Sequence, residues 1–378
     1  MTTSTGMDRG LRRNGRLRLV ATLAAVVALA VVSGCSDSSS DDRPAASASV
    51  ATARPAQTFA PLVHLYEKEP ARPIDTEVFI ANSSLTMANN KCSQETIAIG
   101  LPRLRLKRDE PAPVLDANRL NGPRPYRQRM RTTNCRGHEQ RAYTTTEHTA
   151  PYDSGRSKEL LPHEGFYLDL LTERHLGTAK YPRNAAGQLE VAAAPVYYER
   201  RAEQVDGGPG LRITYWMLFG IDGYPGQSEK AYALNSEGDW ERVSVLLRRG
   251  DRPDSWEPVS VGYRIHGRNR DIPWDDVKAV PAGGERAATH PVVYAAQGNH
   301  APYPDAGRAM VTHRIEGVRK SIRFPDVRRS CADCPRWSTW EDLVLAKREP
   351  WYGYGGNWGA MGTTAHSSGS IGPSPFSR

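Results

Sequence analysis

Residues 239–247 read DWERVSVLL, and they carry the clearest structural pattern in the chain. Side chains alternate between the two faces of a strand, and here the odd positions hold Asp239, Glu241, Val243, Val245 and Leu247. Branched apolar residues at every second position predict a strand with one face in an apolar core. The same alternation places two carboxylates on the face that packs against that core.

Alternation and β-branched or aromatic content also predict strands elsewhere, near residues 76–81, 211–219, 240–248, 257–266 and 290–296. Short helices are predicted at 164–174, which reads EGFYLDLLTER, and at 338–346. The chain shows no repeat of fixed period and no alternation of strands with helices. We therefore expect a mainly β fold, an antiparallel β-sandwich with long decorated loops and one or two short helices.

The composition indicates a globular protein. The chain has 378 residues, of which 39% are hydrophobic and 24% charged, with eight Trp and sixteen Tyr to build a core. This excludes a membrane protein with many spans and a wholly disordered chain. Residues 1–34 hold five Arg and one Asp, so half of the net charge of +8 lies there. The Lys and Arg of the remainder are scattered along the sequence, which predicts no nucleic-acid partner.

The N-terminus resembles a secretory signal. Residues 9–18 are basic, residues 19–32 are almost entirely Leu, Val and Ala, and the apolar run ends at Ser33-Gly34-Cys35. The run is shorter than the roughly 20 residues of a membrane-spanning helix, although a retained anchor stays an alternative. Residues 32–35, VSGC, resemble a bacterial lipobox, so we expect removal of residues 1–34 and a lipid on Cys35. That lipid would anchor the protein to the outer face of the bacterial cell membrane.

Two alternatives stay open for this segment. An ordinary signal peptide would leave Cys35 without a lipid, and Arg12-Arg13 leaves the export route undecided between general secretion and the twin-arginine pathway. Residues 35–60, which begin at Cys35, are rich in Ser, Ala, Asp and Pro and predict a flexible tether. We expect the folded domain at 61–361 and a flexible tail at 362–378.

Four further cysteines predict two disulfides. Cys92, Cys135, Cys331 and Cys334 form an even set in an oxidising compartment. Of the three connectivities, the local one pairs Cys92 with Cys135 and Cys331 with Cys334. The CADC sequence at 331–334 could instead be a redox pair or half of a zinc site. Both are less favoured, because no second close pair exists and Pro335 follows.

The carboxylates on the core-facing side of the 239–247 strand require a partner. A buried carboxylate needs an arginine, hydrogen-bond donors or a metal ion, unless it lies at the wet end of the strand. Residues 293–303, VYAAQGNHAPY, read as a strand that runs into a Gly turn and presents His300. One divalent ion bound by Asp239, Glu241 and His300 is therefore a hypothesis. His300 on a surface loop is the alternative.

A metal-free network is the other interpretation of these carboxylates. In it, Asp239 and Glu241 pair with one or more of three arginines, Arg212, Arg242 or Arg264.

Aromatic residues form a second candidate site. Residues 351–359, WYGYGGNWG, could present rings to a ligand, and the candidate contacts are Trp240, Tyr303, Trp351 and Trp358. The alternative is a tight turn whose rings lie in the core. Catalytic signatures such as G-x-S-x-G, H-E-x-x-H or a phosphate-binding G-x-x-x-x-G-K-[ST] are absent from the sequence.

Several of these blocks together carry a family resemblance. Residues 60–67 (APLVHLYE), 214–219 (TYWMLF), 237–241 (EGDWE) and 294–303 occur in order, followed by the aromatic 351–359. In this the chain resembles the vacuolar protein sorting-associated protein 62-related domain family, over about residues 61–361. That family has no settled activity, so the resemblance implies no reaction.

The EGDWE block is also distantly similar to the H-D-W-E core of necrosis-inducing secreted proteins. The similarity implies a β-sandwich that holds a divalent metal and binds membrane sphingolipids. In this chain Ser236, Glu237 and Gly238 stand before Asp239, where that pattern has a His.

These observations predict a lipid-anchored, extracytoplasmic binding module. Its partners would be the membrane, through the lipid, and a glycan or lipid of the cell envelope. One alternative is a metal-dependent hydrolase of envelope polymers or phosphoesters, in which the ion activates water and Glu241 acts as the base. A metal-free envelope scaffold is the other.

Overall fold

A computed structural model describes residues 55–67, 69, 71–89, 93–100, 113–129, 142–146, 164–170, 194–223, 236–252, 254–281, 287–315, 320–331, 334–360 and 369–374. Strand is the main conformation of these residues, which confirms the mainly β fold. The strands are β1 Leu62–His64, β2 Ser83–Asn89, β3 Ser93–Ile99, β4 Arg127–Arg129, β5 Ala142–Thr144, β6 Glu164–Leu170, β7 Val196–Val205, β8 Gly208–Asp222, β9 Ser236–Arg249, β10 Trp256–Ile265, β11 Arg268–Pro273, β12 Ala279–Val280, β13 His290–Ala295, β14 Pro302–Tyr303, β15 Gly307–Ile315, β16 Lys320–Arg328, β17 Arg336–Ser338, β18 Leu343–Leu345 and β19 Asn357–Trp358.

The central element is a six-stranded sheet with the order β11-β10-β9-β8-β7-β18. Its longest strands, β8 and β9, pair antiparallel, with Phe219 opposite Asp239 and Trp216 opposite Arg242. The predicted strands at 211–219, 240–248 and 257–266 are confirmed in β8, β9 and β10, and the one at 290–296 in β13.

Each face of this sheet packs against a separate apolar core. On one face, Tyr215, Met217 and Val243 pack with Val63 of β1 and Val293 of β13, which belong to a second sheet. On the other face lies a core that includes side chains from β8 and β9 and from the sheet ordered β19-β6-β2-β3, among them Trp216, Leu218, Trp240, Leu85 and Phe166. The fold is therefore three β layers, with the central sheet covered on both sides over part of its area.

The prediction of an antiparallel sandwich is wrong for three strand pairs. The pairs β1 with β13, β18 with β7, and β19 with β6 are parallel. Each of these pairs joins only two or three residues per strand, and the partners come from distant parts of the chain. A short segment arriving from far away can join an existing strand in either direction, so local patterning does not decide it.

Gly238 sets the direction in which the charged end of β9 faces. Its φ is +59°, a left-handed conformation that interrupts the alternation of side chains. The Glu237 carboxylate accepts hydrogen bonds from the backbone N–H groups of Leu170 and Ala360, whereas that of Asp239 contacts His300. A Cβ at position 238 would overlap the carbonyl oxygen of Trp358, so both the backbone angle and the space require glycine.

The strand predicted at 76–81 is wrong, because Thr76–Ala81 forms helix α1. The β-branched residues of TEVFIA favour a strand, but the Asp75 side chain accepts a hydrogen bond from the Glu77 N–H at 2.7 Å and so caps a helix. Phe79 and Ile80 then pack in the second core.

The two predicted helices are also wrong over their described parts. Residues 164–170 form β6, which pairs with β2 and β19 and places Phe166 and Leu168 in the second core. Within 338–346, Thr339–Glu341 is a single 3₁₀ turn and Leu343–Leu345 is β18, which adds to the edge of β7. In both segments the spacing of apolar residues is compatible with a helix or a strand. Pairing with a distant strand stabilises the strand.

The folded part is larger than the predicted domain 61–361. Residues 55–60 were expected in the tether, but Ala56, Phe59 and Ala60 are buried in the first core. In the predicted tail, Ser370 pairs with Trp358, and Ser374 is buried. The signal segment, Cys35 and the rest of the tether lie outside the described residues, so the lipid anchor stays a prediction. Within the described ranges, no helix combines the length and apolarity needed to cross a bilayer.

Candidate functional site

Charged side chains occupy both faces of the central sheet, and they form two distinct regions. The first, the histidine cluster, surrounds His300 in the turn between β13 and β14. The Nδ1 atom of His300 lies 2.8 Å from Asp239 Oδ2, and its Nε2 atom lies 3.3 Å from Glu69 Oε1. The ring is fully buried and stacks on Phe219, with 3.8 Å between the ring centroids.

The carboxylates keep His300 positively charged. Burial alone lowers the pKa of the imidazole, but Glu69 and the hydrogen-bonded Asp239 outweigh it and raise the pKa to about 10. Burial, followed by repulsion from Asp239, raises the pKa of Asp222 and Glu241 well above the ordinary carboxyl range. The cluster is therefore an imidazolium among carboxyl groups, of which Asp222 and Glu241 favour the neutral form.

The structure brings together two of the three predicted metal ligands, Asp239 and His300. Glu241 lies on the same face of β9, two residues along. In the described ranges, the group whose ligand atoms all lie within 4.8 Å of one another is a different one, Glu67, Cys331 and Cys334. The predicted arginine partners do not take this role: Arg212, Arg242 and Arg264 line the opposite face of the sheet, and the direct partner of Asp239 is His300.

Sequence patterns missed Glu69 and Asp222, which also belong to the histidine cluster. His300 Nε2 and Glu69 Oε1 face each other as an ion pair, and in the described ranges a third buried atom of the cluster, Asp222 Oδ1, has no hydrogen-bond partner. Glu69 follows β1 and Asp222 ends β8, so each lies far from residue 239 in sequence. Asp222 approaches Asp239 through the pairing of β8 with β9, and Glu69 through the packing of the second sheet on the first.

The disulfide between Cys331 and Cys334 is confirmed. Glu67 Oε2 lies 3.9 Å and 4.0 Å from the two sulfur atoms, so these three side chains could hold a metal ion. A metal is bound by thiolates, however, and sulfur atoms bonded to each other do not supply them. Cys92 and Cys135 lie outside the described residues, so their pairing stays a prediction.

Three of the predicted ligand-binding aromatics are core residues. Trp240, Trp351 and Trp358 are buried together in the second core, with ring centroids 5.2 to 5.7 Å apart. This corrects the prediction that they form a binding surface, because a ring enclosed by other rings has no free face to offer. The alternative, a tight turn with its rings inside, is what the structure shows.

The fourth aromatic, Tyr303, is held in a polar network. Its hydroxyl donates to Asp326 Oδ2 at 2.6 Å, and the guanidinium of Arg328 lies 3.9 Å from its ring centroid. His266 Nε2 and Asn299 Nδ2 also contact the Asp326 carboxylate, at 2.6 and 2.7 Å. Burial raises the pKa of Asp326, but these contacts outweigh it and lower that pKa below its usual value. Tyr303 is thus a structural residue, which again corrects the prediction.

The second region, the arginine trough, is a cavity of about 1080 Å³ on the opposite face of the central sheet. It lies where the second core ends and the sheet becomes polar. Its cations are Arg201, Arg212, Arg242, Arg264 and Lys347, and its carboxylates are Glu199, Glu203 and Asp271.

The strand register explains the shape of the trough. Thr214 lies opposite Glu199 and Ser244, and Gly262 lies opposite Ser244 and Asp271. One row of short side chains thus crosses the sheet and forms the floor, with a carboxylate at each end. Longer side chains stand on both sides of this row.

The arginines at the trough are held by defined contacts. Arg212 donates to Glu203 Oε1 at 2.8 Å and to Ser244 Oγ at 3.3 Å. The Arg242 guanidinium lies 4.8 Å from the Trp216 ring centroid, and Arg264 donates to Asn269 Oδ1 at 3.3 Å. Each of these side chains is oriented by the sheet itself, so the cations do not depend on a ligand for their placement.

Two guanidinium groups at the trough repel each other. Burial, and then the nearby charge of Arg264, lower the pKa of Arg242 to about 10, so the group stays positively charged at neutral pH. A desolvated cation beside another cation is stabilised by an anion placed between them.

Comparison of the chain with family models, with curated proteins and with solved structures finds no match. The family resemblance described above stays a prediction.

Proposed function

We propose that this protein is a surface binding module that holds an anionic ligand in the arginine trough. One observation carries the proposal: five cations and three carboxylates converge on an open part of the central sheet, beside the area that the second apolar core covers.

Binding fits the trough better than catalysis does. Its cations outnumber its carboxylates. Both oxygens of Glu199 accept hydrogen bonds, from Trp216 and Tyr352, and Glu203 accepts one from Arg212, so these two carboxylates orient other side chains of the trough. Arginine is suited to recognise carboxylate, sulfate or phosphate groups, because its planar fork donates two parallel hydrogen bonds. The predicted lipid on Cys35 would hold such a module outside the cell membrane, where envelope polymers are the available anions.

The test compares two pairs of arginines. Binding of purified full-length protein to dextran sulfate and to neutral dextran is measured with the parent, with Arg242→Gln/Arg264→Gln and with Arg248→Gln/Arg249→Gln. The control pair is exposed and lies on β9 outside the trough. We expect binding to the sulfated polymer alone, weakened at least about tenfold by the first pair, or about 1.4 kcal/mol, and little changed by the second. Equal losses from both pairs would indicate diffuse surface charge and contradict the proposal.

A divalent ion at Asp239, Glu241 and His300 is a second candidate, favoured by the carboxyl groups gathered around His300 and by the buried Asp222 Oδ1, which has no hydrogen-bond partner among the described residues. Glu69 would join these ligands, and the ion would supply the activated water of the hydrolase alternative. Elemental analysis of the protein, purified without an affinity metal, tests it beside Glu241→Gln. About one equivalent of a dication in the parent and none in the variant would support an ion site. If neither protein contains a metal, the positive charge of His300 alone balances the carboxylates of the cluster, and the arginine trough remains the functional region. If the trough also binds no anion, the metal-free scaffold is the remaining interpretation.

A further inference from the structure

We infer that the ligand of the arginine trough is a linear acidic glycan that lies across the strands of the central sheet. This inference rests on the proposed binding function and narrows its ligand to one chemical class.

The direction of the ligand follows from the floor. The row from Glu199 through Thr214, Ser244 and Gly262 to Asp271 crosses the five strands β7 to β11. Adjacent strands lie about 4.8 Å apart, so the row is roughly 19 Å long. Gly262 has no side chain, and Thr214 and Ser244 have short ones. The resulting depression runs perpendicular to the strands and suits an extended chain rather than a compact ion.

The positions of the trough cations indicate a ligand that carries several negative charges along its length. Arg201 and Arg212 are opposite each other on β7 and β8, to one side of the floor. Arg242 and Arg264 lie on β9 and β10, to its other side, where the Arg242 guanidinium lies over the Trp216 ring. Charges distributed along both sides are complementary to a polymer with an anionic group on successive units, whereas a single phosphate or sulfate would need them gathered at one point.

The carboxylates and hydroxyls favour a glycan over an inorganic polyanion. Glu199 and Asp271 stand at the two ends of the floor, where each would repel a chain that carries charge at every position. A sugar chain also offers hydroxyl groups. Asp271 can accept hydrogen bonds from them, and Thr214 and Ser244 can exchange hydrogen bonds with them, whereas Glu199 already accepts bonds from Trp216 and Tyr352. A chain with both anionic and hydroxyl groups matches the cations on the two sides of the floor and the hydrogen-bonding groups along it.

The experiment varies ligand length and backbone separately. Calorimetry measures binding of the full-length protein to galacturonate oligomers from dimer to octamer, with neutral xylose oligomers and polyphosphate as comparisons. NMR shifts measure the weaker galacturonate monomer. We expect affinity to rise with length until the chain spans the floor and then level off, with no binding of the neutral series and weaker binding of polyphosphate.

A variant that fills the floor of the trough tests whether the ligand lies along it. Ser244→Leu adds bulk to the middle of the row, and Thr312→Leu adds the same kind of bulk at an exposed position on β15. We expect Ser244→Leu to weaken the tetramer at least about tenfold while the monomer changes less than about twofold, and Thr312→Leu to leave both unchanged. Far-ultraviolet circular dichroism of both variants verifies that they fold.

Three results would overturn the inference, and they differ in what they leave standing. Affinity that does not depend on length would mean a compact anion, with the binding function intact. Polyphosphate that binds as tightly as the glycan would refute the glycan class only. Failure of every anion, dextran sulfate included, would remove the binding function itself.

Discussion

The two charged regions lie on opposite faces of the same pair of strands, and their surroundings differ completely. On β9, Asp239 and Glu241 face the first core and the buried His300, whereas Arg242 and Ser244 face the trough. The histidine cluster neutralises its charge internally, through an imidazolium between carboxylates. The arginine trough instead has more cations than carboxylates and opens to solvent.

The comparison shows how burial determines the role of a charged group. Inside a protein, an ionised side chain must be matched by neighbours, so the histidine cluster contributes to the integrity of the fold. At an open surface, water tolerates an excess of one sign, and that excess remains to attract a partner. Substitutions in the first region should therefore change stability, and those in the second should change binding.

The largest effect is expected from Asp239→Ala. It removes the partner that contacts His300 Nδ1 at 2.8 Å and leaves a buried imidazolium with one carboxylate fewer, so unfolding by urea should show a loss of about 3–5 kcal/mol. Glu257→Ala is the control, because that carboxylate is exposed and pairs with Arg248 at the surface. Its loss should stay below about 1 kcal/mol. Equal losses would mean that the histidine cluster is not a stabilising unit.

Gly238→Ala should be the next largest, since it alters the residue that directs Asp239 toward His300. The positive φ and the overlap with the Trp358 carbonyl together predict a loss of at least about 2 kcal/mol. Gly267→Ala isolates the backbone term, because Gly267 has a φ of +77° but open space around its Cβ position. A difference between the two variants measures the steric contribution, and its absence would contradict the tight approach of Trp358.

The pH dependence should follow the charge of His300. Its pKa is raised in the folded state to about 10, so the folded protein binds a proton that the unfolded chain has released above its ordinary value. The stabilisation is complete below about pH 6.5 and is lost as the pH rises toward 10, with a slope of about 1 kcal/mol per pH unit between pH 7 and 8. Urea unfolding at several pH values measures it.

Imidazole NMR resonances provide a direct check that needs no variant. The His300 ring should remain protonated at pH 8, while it faces Glu69, Asp239, Asp222 and Glu241. A neutral His300 at that pH would contradict the imidazolium assignment.

The smallest effect on stability is expected in the trough. Arg264→Gln removes a cation that repels Arg242 and loses one hydrogen bond to Asn269, so the free energy of unfolding should change by less than about 0.5 kcal/mol. The same variant should weaken binding to dextran sulfate. A large loss of stability would place Arg264 in a structural network and erase the contrast between the two regions.

Much of the sheet could be predicted, because β8, β9 and β10 are long and strongly alternating. The sequence connected His300 with Asp239 only as a fellow ligand of a hypothetical metal ion, and the direct contact between the two side chains is a finding of the structure. The segments at 76–81 and 164–170 were misassigned, since six or seven residues fit a helix or a strand equally well. A capping bond from Asp75 decided the first, and pairing of β6 with β2 decided the second.

The sequence by itself determined that β9 has two different faces, because the alternation of side chains along an extended backbone is a local property. Only the tertiary structure decided what each face meets. Arg212, Arg242 and Arg264 are scattered in the sequence and belong to three strands, and it is the register of β8, β9 and β10 that gathers them along one floor. Register depends on contacts between distant segments, and so does the approach of Glu69 and His300 to Asp239.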